Sequence, residues 1–151
     1  MSDFITPEPP RIRRRHVTAA VIGNALEFYD FTIYAFFSVS IGQSFFPSGP
    51  GGLTTSEFGS LMASLGTFWA GFVLRPVGGV LIGAYADRVG RRPAMIFSFS
   101  LMGAAILALA FIPSYRSIGI MAPILAVLAR MVQGFSLGGE VGPTTAYLVE
   151  A

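Results

Sequence analysis

The stretch Gly83-Ala-Tyr-Ala-Asp87-Arg88-Val-Gly90-Arg91-Arg92-Pro93 separates two long apolar segments of a 151-residue chain. It brings together one acidic residue, three arginines and two glycines. Because apolar sequence flanks it on both sides, we interpret it as a short, basic hinge at a membrane surface. The sequence therefore predicts membrane helices that are joined by polar connections.

The composition supports a membrane protein. Hydrophobic residues make up 53% of the chain and charged residues 12%, which is about half the charged fraction of an average soluble domain. The apolar residues fall into four blocks, 17–41, 57–84, 94–112 and 118–142. Each block is close to or above the ~20 residues that a helix needs to cross the hydrocarbon core. We predict an all-α, polytopic membrane protein with four transmembrane helices.

Arginine placement predicts the orientation in the cell membrane. All ten basic residues are arginine, and seven of them cluster before the first helix and in the hinge. By the positive-inside rule, both clusters lie in the cytoplasm, which places the N- and C-termini inside. Residues 1–16 are polar and proline-rich, so we expect a disordered basic tail along anionic lipid headgroups.

Several functions are disfavoured by the same composition. The net charge of +2 resides in a few arginine clusters, so nucleic-acid binding does not follow from it. There is no cysteine and only one histidine, so we expect no disulfide, no metal site and no cofactor. No nucleophile and base are paired in the pattern, and an enzyme is the least favoured class.

Local signals mark the ends of the helices. Ser56 or Thr55 followed by Glu57 predicts a helix start, because a hydroxyl there can cap the first turn. Pro93 suits the first turn of the third helix, where its missing N–H would be unpaired in any case. The segment 113–117 predicts a tight external turn.

Small residues recur at intervals of four along the second helix. Gly59, Ala63, Thr67, Gly71, Gly79 and Gly83 belong to this row, together with Arg75 and Asp87. The fourth helix repeats the device with Gly134, Gly138 and Gly142. Rows of this kind let membrane helices approach closely, and the interface that they form can be static or can slide.

Three ionisable residues lie inside the predicted helices: Glu27, Asp30 and Arg130. Each such charge is costly in a membrane, from ~2.5 kcal/mol upwards, and so marks a candidate functional site. Glu27 shares a helical face with Asn24, Phe31 and Tyr34, and Asp30 lies on its flank. Two carboxylates this close disfavour double ionisation, so one of them can carry a proton. We predict proton coupling at Glu27 and Asp30.

Arg130 provides the opposite charge. It shares a face of the fourth helix with Gln133, and Glu140 falls at the edge of that face. Its planar fork suits a carboxylate, which can be that of Glu27, of Asp30 or of a bound anionic substrate. A purely structural ion pair between the first and fourth helices stays open, and the two interpretations are compatible. Asn24, Tyr34, Arg130 and Gln133 are the candidate substrate-binding residues.

Arg75 is a further buried charge to explain. It directly precedes Pro76 in the cytoplasmic part of the second helix. We expect its long side chain to reach the membrane interface, in preference to a role in the substrate path.

The motifs resemble those of one transporter superfamily. In the hinge, Gly is followed after three residues by Asp-Arg, and after one more residue by Gly-Arg-Arg. This pattern resembles the loop between the second and third helices of the major facilitator superfamily. Arg130-Met-Val-Gln133-Gly134 resembles the fourth-helix motif, although Ser136 and Leu137 depart from it. Segments 23–31 and 133–140 are similar to the corresponding segments of the metabolite:proton symporters. These transporters carry citrate, related carboxylates, shikimate and betaines.

This resemblance implies twelve helices in two halves, with the binding site at the midplane between them. The four helices here would then be an N-terminal fragment whose partners are the missing C-terminal helices of the same carrier. The implied substrate is a small organic acid or zwitterionic metabolite, with the proton as coupling ion, and the family arginine at Arg130 is implicated in proton transfer. The hinge residues would form a conformational gate: Gly83, Asp87, Arg88, Gly90, Arg91 and Arg92.

The sequence leaves two other functions open. The four helices could be a complete, dimeric small-molecule exporter with Glu27 as its membrane carboxylate, but such a protein does not call for the hinge or for Arg130. A membrane scaffold would use the glycine faces to bind other helices, and it leaves the buried charges unexplained.

Overall fold

The computed structural model describes the backbone of residues 14–150 and, within it, the side chains of residues 21, 25 and 28–140. Four long helices and one short helix account for nearly all of this range. They are α1 (Arg14–Phe45), α2 (Glu57–Val89), α3 (Arg91–Phe111), the single-turn α4 (Tyr115–Ile118) and α5 (Met121–Glu150). No strand forms among the described residues, apart from one isolated bridge between Ser48 and Thr54. The predicted all-α fold is confirmed.

Three helices in the described part of the chain are long and apolar enough to span a membrane. They are α2, α3 and the Met121–Glu140 part of α5, with mean hydropathies of 1.5, 2.2 and 1.4. Helix α1 has 32 residues, which exceeds the ~20 residues that a crossing requires.

The helices differ in length from the apolar blocks. Helix α1 runs over 14–45 where 17–41 was predicted, α2 ends at 89 where 84 was predicted, α3 covers 91–111 where 94–112 was predicted, and α5 covers 121–150 where 118–142 was predicted. Hydropathy marks the hydrocarbon-spanning part, whereas a helix continues until its backbone is interrupted. Residues 14–16 of the predicted tail therefore belong to α1, and residues 1–13 lie outside the described residues.

The hinge is a single residue. Residues 83–89 are the last turns of α2, and Gly90 alone separates α2 from α3 with φ at +105°. This is a backbone conformation that glycine adopts readily and other residues rarely do. The short hinge predicted over residues 83–93 is therefore corrected to Gly90 alone. Pro93 lies in the first turn of α3, as predicted.

The start of α2 and the turn before α5 can be compared with their predictions. Ser56 caps α2, and its hydroxyl accepts a hydrogen bond from the Gly59 N–H at 3.1 Å. The 113–117 turn contains the first residues of α4, which Gly119 separates from α5 with φ at +60°.

The glycine row packs α2 directly on α5. A Cβ atom on Gly134 would overlap the backbone of Gly71, and one on Gly138 would overlap the carbonyl of Arg75. A Cβ on Gly78 would likewise overlap the carbonyl oxygen of Phe135. The predicted close approach of the two helices is therefore confirmed. Gly142 lies outside the described side chains.

A pair of serines joins α3 to α5. The Ser98 hydroxyl donates to the carbonyl of Ser136 at 2.7 Å, and the Ser136 hydroxyl donates back to the carbonyl of Ser98. Both serines are fully buried, so each hydroxyl has exchanged water for a protein acceptor. Helix α1 packs mainly on α2, where Gly42 lies against Ser60.

Candidate functional site

Asp30, Arg130 and Gln133 form one hydrogen-bonded cluster between α1 and α5. The Arg130 Nη1 donates to Asp30 Oδ2 at 3.0 Å, and the Gln133 Nε2 donates to the same oxygen at 2.9 Å. Arg130 Nη1 also donates to Gln133 Oε1 at 2.7 Å. Residues 130 and 133 meet because they lie one helical turn apart. The three side chains therefore act as a unit, joined at one carboxylate oxygen.

The cluster is largely shielded from its surroundings. The Arg130 side chain is 8% exposed and that of Asp30 is 22% exposed. Charges this buried are tolerated when they are paired and hydrogen-bonded, and removing one partner typically costs about 3–5 kcal/mol. Arg130 Nε is buried and has no hydrogen-bond partner among the described residues. The guanidinium thus keeps a donor available beyond those that bind Asp30 and Gln133.

Tyr34 forms a platform under Arg130. The Arg130 Cζ lies 4.1 Å from the centroid of the Tyr34 ring, which is the geometry of a cation–π contact. The Tyr34 hydroxyl donates to the carbonyl of Ser64 on α2 at 2.8 Å. The tyrosine is 2% exposed, so it holds the arginine from one side and ties α1 to α2.

Arg75 is enclosed by aromatic side chains. Its Cζ lies 4.2 Å from the Phe72 ring centroid and 4.8 Å from that of Phe31. Phe68 packs edge-on against both rings. Two ring faces thus attract the Arg75 cation, and its reach to the membrane interface stays a prediction.

Two cavities adjoin the cluster. The larger, of about 290 Å³, has Asp30, Arg130, Tyr34 and Thr67 in its lining, and its other walls are apolar side chains of α1, α3 and α5 and the loop after α1. The smaller, of about 20 Å³, is lined by Asp30, Arg75, Arg130 and Gln133 together with the three phenylalanines. The second cavity has room for about one water molecule. Arg75 and Arg130 therefore face one small space.

The structure places the other candidates as follows. Glu27 and Asn24 fall on side chains outside the described residues. At the hinge, Asp87, Arg88, Gly90 and Arg92 are exposed and Arg91 is partly buried. Gly83 has no atom of the described residues within 4 Å of a Cβ position, so a side chain there would meet open space. Glu140 is partly buried on α5.

The sequence pattern did not single out Ser64, Phe68 or Phe72. The phenylalanines had a usable signal, because residues 68, 72 and 75 recur at the spacing of one helical face. Ser64 had none, since its contribution is a backbone carbonyl. Among the described residues, no group of three or more His, Cys, Asp or Glu side chains is placed to hold a metal ion.

The chain is similar to known transporters. The family model described as "Sugar (and other) transporter" matches residues 16–151. A citrate-proton symporter of Klebsiella pneumoniae is 43% identical over 85% of this chain and 28% of its own length. An alpha-ketoglutarate permease of Escherichia coli is 40% identical over 97% of this chain and 32% of its own.

A third relative has a different printed substrate range. The glycine betaine/proline/ectoine/pipecolic acid transporter OusA of Dickeya dadantii is 41% identical over 91% of this chain and 26% of its own length. The chain thus spans about 28% of the length of the citrate-proton symporter that it matches. No solved structure matches.

Proposed function

Because the chain belongs to the sugar (and other) transporter family of the major facilitator superfamily, we propose that it supplies the first four membrane helices of a proton-coupled carrier of small organic acids. The match over residues 16–151 favours this carrier over the four-helix exporter and the scaffold. The relatives named for citrate and alpha-ketoglutarate support an organic acid as substrate. The relatives' remaining length is consistent with further helices that complete the site.

The cluster of Asp30, Arg130 and Gln133 is the observation that carries the proposal. Asp30 can carry a proton or, when it is ionised, form an ion pair with Arg130. Protonation of Asp30 removes the attraction between the two side chains. Arg130 is then released to bind a carboxylate of the substrate through its planar fork. Proton and substrate therefore bind together, since each makes binding of the other more favourable.

The neighbouring residues have supporting roles in this scheme. Gln133 donates to the Asp30 oxygen and accepts from Arg130, so it can stay bonded to either side chain while the pair separates. Tyr34 holds the Arg130 guanidinium in place from below. We assign Glu27 to proton coupling because it lies about one turn before Asp30, and Asn24 to substrate binding because it shares a helical face with Glu27.

The α2–α3 junction is proposed as the cytoplasmic gate. Asp87 and Arg88 are exposed at the end of α2, and Gly90, with its positive φ, separates them from Arg91 and Arg92 at the start of α3. Exposed charges at this end suit contacts with the second half of the carrier, against which Gly83 would allow a close approach. By the positive-inside rule, the arginine clusters support a cytoplasmic position for this end and for the N-terminus of a carrier in the cell membrane.

Uptake by the complete carrier in proteoliposomes tests the function. With the lumen alkaline, we expect labelled citrate or alpha-ketoglutarate to accumulate and a protonophore to abolish the accumulation. Asp30→Asn should lose accumulation but still exchange substrate across the membrane without a gradient. Glu57→Gln is the matched control, because Glu57 is an exposed carboxylate at the start of α2. Gradient-driven accumulation by Asp30→Asn at the control's level would refute the assignment.

A further inference from the structure

The larger cavity beside the ionic cluster is mainly apolar, and the proposed mechanism does not use it. Its volume is about 290 Å³, roughly twice the ~150 Å³ of an apolar cavity that binds one benzene molecule. Helices α1 and α3 do not pack against each other in the described part of the chain, and both line the cavity. The cavity therefore occupies the gap between them and has room for a hydrocarbon group.

Charged and apolar walls are separated along this cavity. On α1 the lining begins at Asp30 and reaches Ile41 and Phe45. Eleven residues separate Asp30 from Ile41, which is about 16 Å along the helix axis. The α3 side of the cavity is entirely apolar and consists of Ile106, Leu109 and Ala110. The space is therefore elongated, with the ionic pair at one end and hydrocarbon along the rest.

The loop after α1 forms the apolar end of the cavity. Phe46 lines this end and is 6% exposed. The N–H groups of Leu53 and Thr54 both donate to the carbonyl of Pro47, at 2.9 and 3.2 Å. These bonds fold the loop back directly after Phe46, so the apolar end has a fixed wall.

Arg130 provides the charge at the other end. Its Nε is buried and has no hydrogen-bond partner among the described residues, and its Nη1 is shared between Asp30 and Gln133. A carboxylate that displaces Asp30 can use these donors in charge-assisted hydrogen bonds. Because Arg130 lines the cavity, the carbon atoms attached to such a carboxylate can extend along the apolar walls.

We propose that the larger cavity binds the hydrocarbon chain of an amphipathic monocarboxylic acid, whose carboxylate takes the place of Asp30 on Arg130. A chain of roughly six to ten carbons suits the volume. A second carboxylate is disfavoured at the far end, because the described residues that line it carry no charge and burial of an unpaired charge is costly. The inference rests on the proposed function for the use of Arg130 as the carboxylate site, so this acid competes with the transported one.

A series of labelled straight-chain acids tests the inference. Equilibrium dialysis measures the binding of butyrate, hexanoate and octanoate to the purified complete carrier, with detergent micelles alone as the blank. Full burial of a CH₂ group gives about a fourfold gain in affinity, and the half-open gap should give about twofold. Octanoate should therefore bind at least about tenfold more tightly than butyrate. Octanamide, which keeps the chain and lacks the charge, should bind at least about tenfold more weakly than octanoate.

Three variants locate the chain in the cavity. Ala126→Leu fills the space from a buried position in its lining, and Ile106→Ala removes part of one wall. Both should lower the ratio of octanoate affinity to butyrate affinity severalfold. Leu107→Ala is the matched control, because Leu107 is next to Ile106 but is 60% exposed and lies outside the lining. This control should keep the ratio of the wild type.

Equal affinities of the wild type for butyrate and octanoate, or for octanoate and octanamide, would overturn the inference. An unchanged ratio in Ala126→Leu or, if that variant does not fold, in Ile106→Ala would overturn it as well. Neither result touches proton-coupled uptake of organic acids. Octanoate that shows the expected dependence on chain length and on the variants but is not displaced by excess alpha-ketoglutarate would support the cavity site and count against the proposed function instead.

Discussion

Replacing Gly71 by alanine should disturb the ionic cluster through the backbone of α5. A Cβ at this position would lie 3.0 Å from the carbonyl oxygen of Arg130, 3.7 Å from its carbonyl carbon and 3.9 Å from the Cα of Gly134. The shortest of these contacts is tighter than carbon and oxygen normally tolerate, so the backbone at Arg130 has to yield by a few tenths of an ångström. We predict that Gly71→Ala displaces Arg130 relative to Asp30.

The cost can be worked out from three contributions. Lengthening the 3.0 Å bond between Arg130 and Asp30 to roughly 3.3 Å takes it past the usual range for an N–H···O bond. Losing about half of a charge-assisted bond costs about 1 kcal/mol, and overpacking adds about 1–3 kcal/mol. The better helix propensity of alanine returns up to about 1 kcal/mol. The net effect is a loss of about 1–3 kcal/mol in the free energy of unfolding.

Two further glycines make this prediction a graded series. Gly66 has no atom within 4 Å of its Cβ position, so Gly66→Ala should raise the free energy of unfolding by up to about 1 kcal/mol. Gly134→Ala should destabilise more than Gly71→Ala, because its Cβ would overlap several backbone atoms of Gly71. Unfolding of the complete carrier in detergent, followed by circular dichroism during a denaturant titration, measures all three. Equal stability of the Gly66, Gly71 and Gly134 variants would refute the reasoning.

Two more predictions concern side-chain contacts and use the same unfolding assay. Tyr34→Phe keeps the ring under Arg130 and loses the bond to Ser64, so it should cost about 1 kcal/mol, while Tyr34→Leu should cost about 1–2 kcal/mol more because the cation–π contact is lost; equal values for the two would argue against the platform. Ser98→Ala and Ser136→Ala should each cost about 1 kcal/mol. The double variant should cost measurably less or more than their sum, and strict additivity would mean that the two hydroxyls do not act as a pair.

Part of this structure follows from the sequence alone. The rows of glycine at Gly71, Gly134 and Gly138 predicted close contact between two helices, because small residues at fixed spacing leave a groove whatever they pack against. The Ser56 cap and the position of Pro93 were predicted for a similar reason, since each depends only on its own backbone neighbours. Features that depend only on neighbouring residues can therefore be predicted before the fold is known.

The partners of charged groups were harder to predict. The pattern offered Glu27, Asp30 or a substrate as the partner of Arg130, and the choice of Asp30 depends on the rotation and height of α1 against α5. The contact of Arg75 with Phe31 could not be predicted either, because the two residues lie on different helices. The observed helix ends also differ from the predicted ones, because hydropathy does not indicate that Gly90 interrupts the helical backbone.

In the proposed mechanism, Asp30 gains a proton when an organic acid takes its place on Arg130. The most direct test adds alpha-ketoglutarate, whose carboxylates remain ionised near neutral pH, to the purified complete carrier in a weakly buffered solution with a pH indicator. Linkage between the two ligands predicts uptake of about one proton for each substrate bound by the wild type. Asp30→Asn should bind substrate with no proton uptake. Substrate binding by the wild type without proton uptake, or equal uptake by Asp30→Asn, would contradict the account.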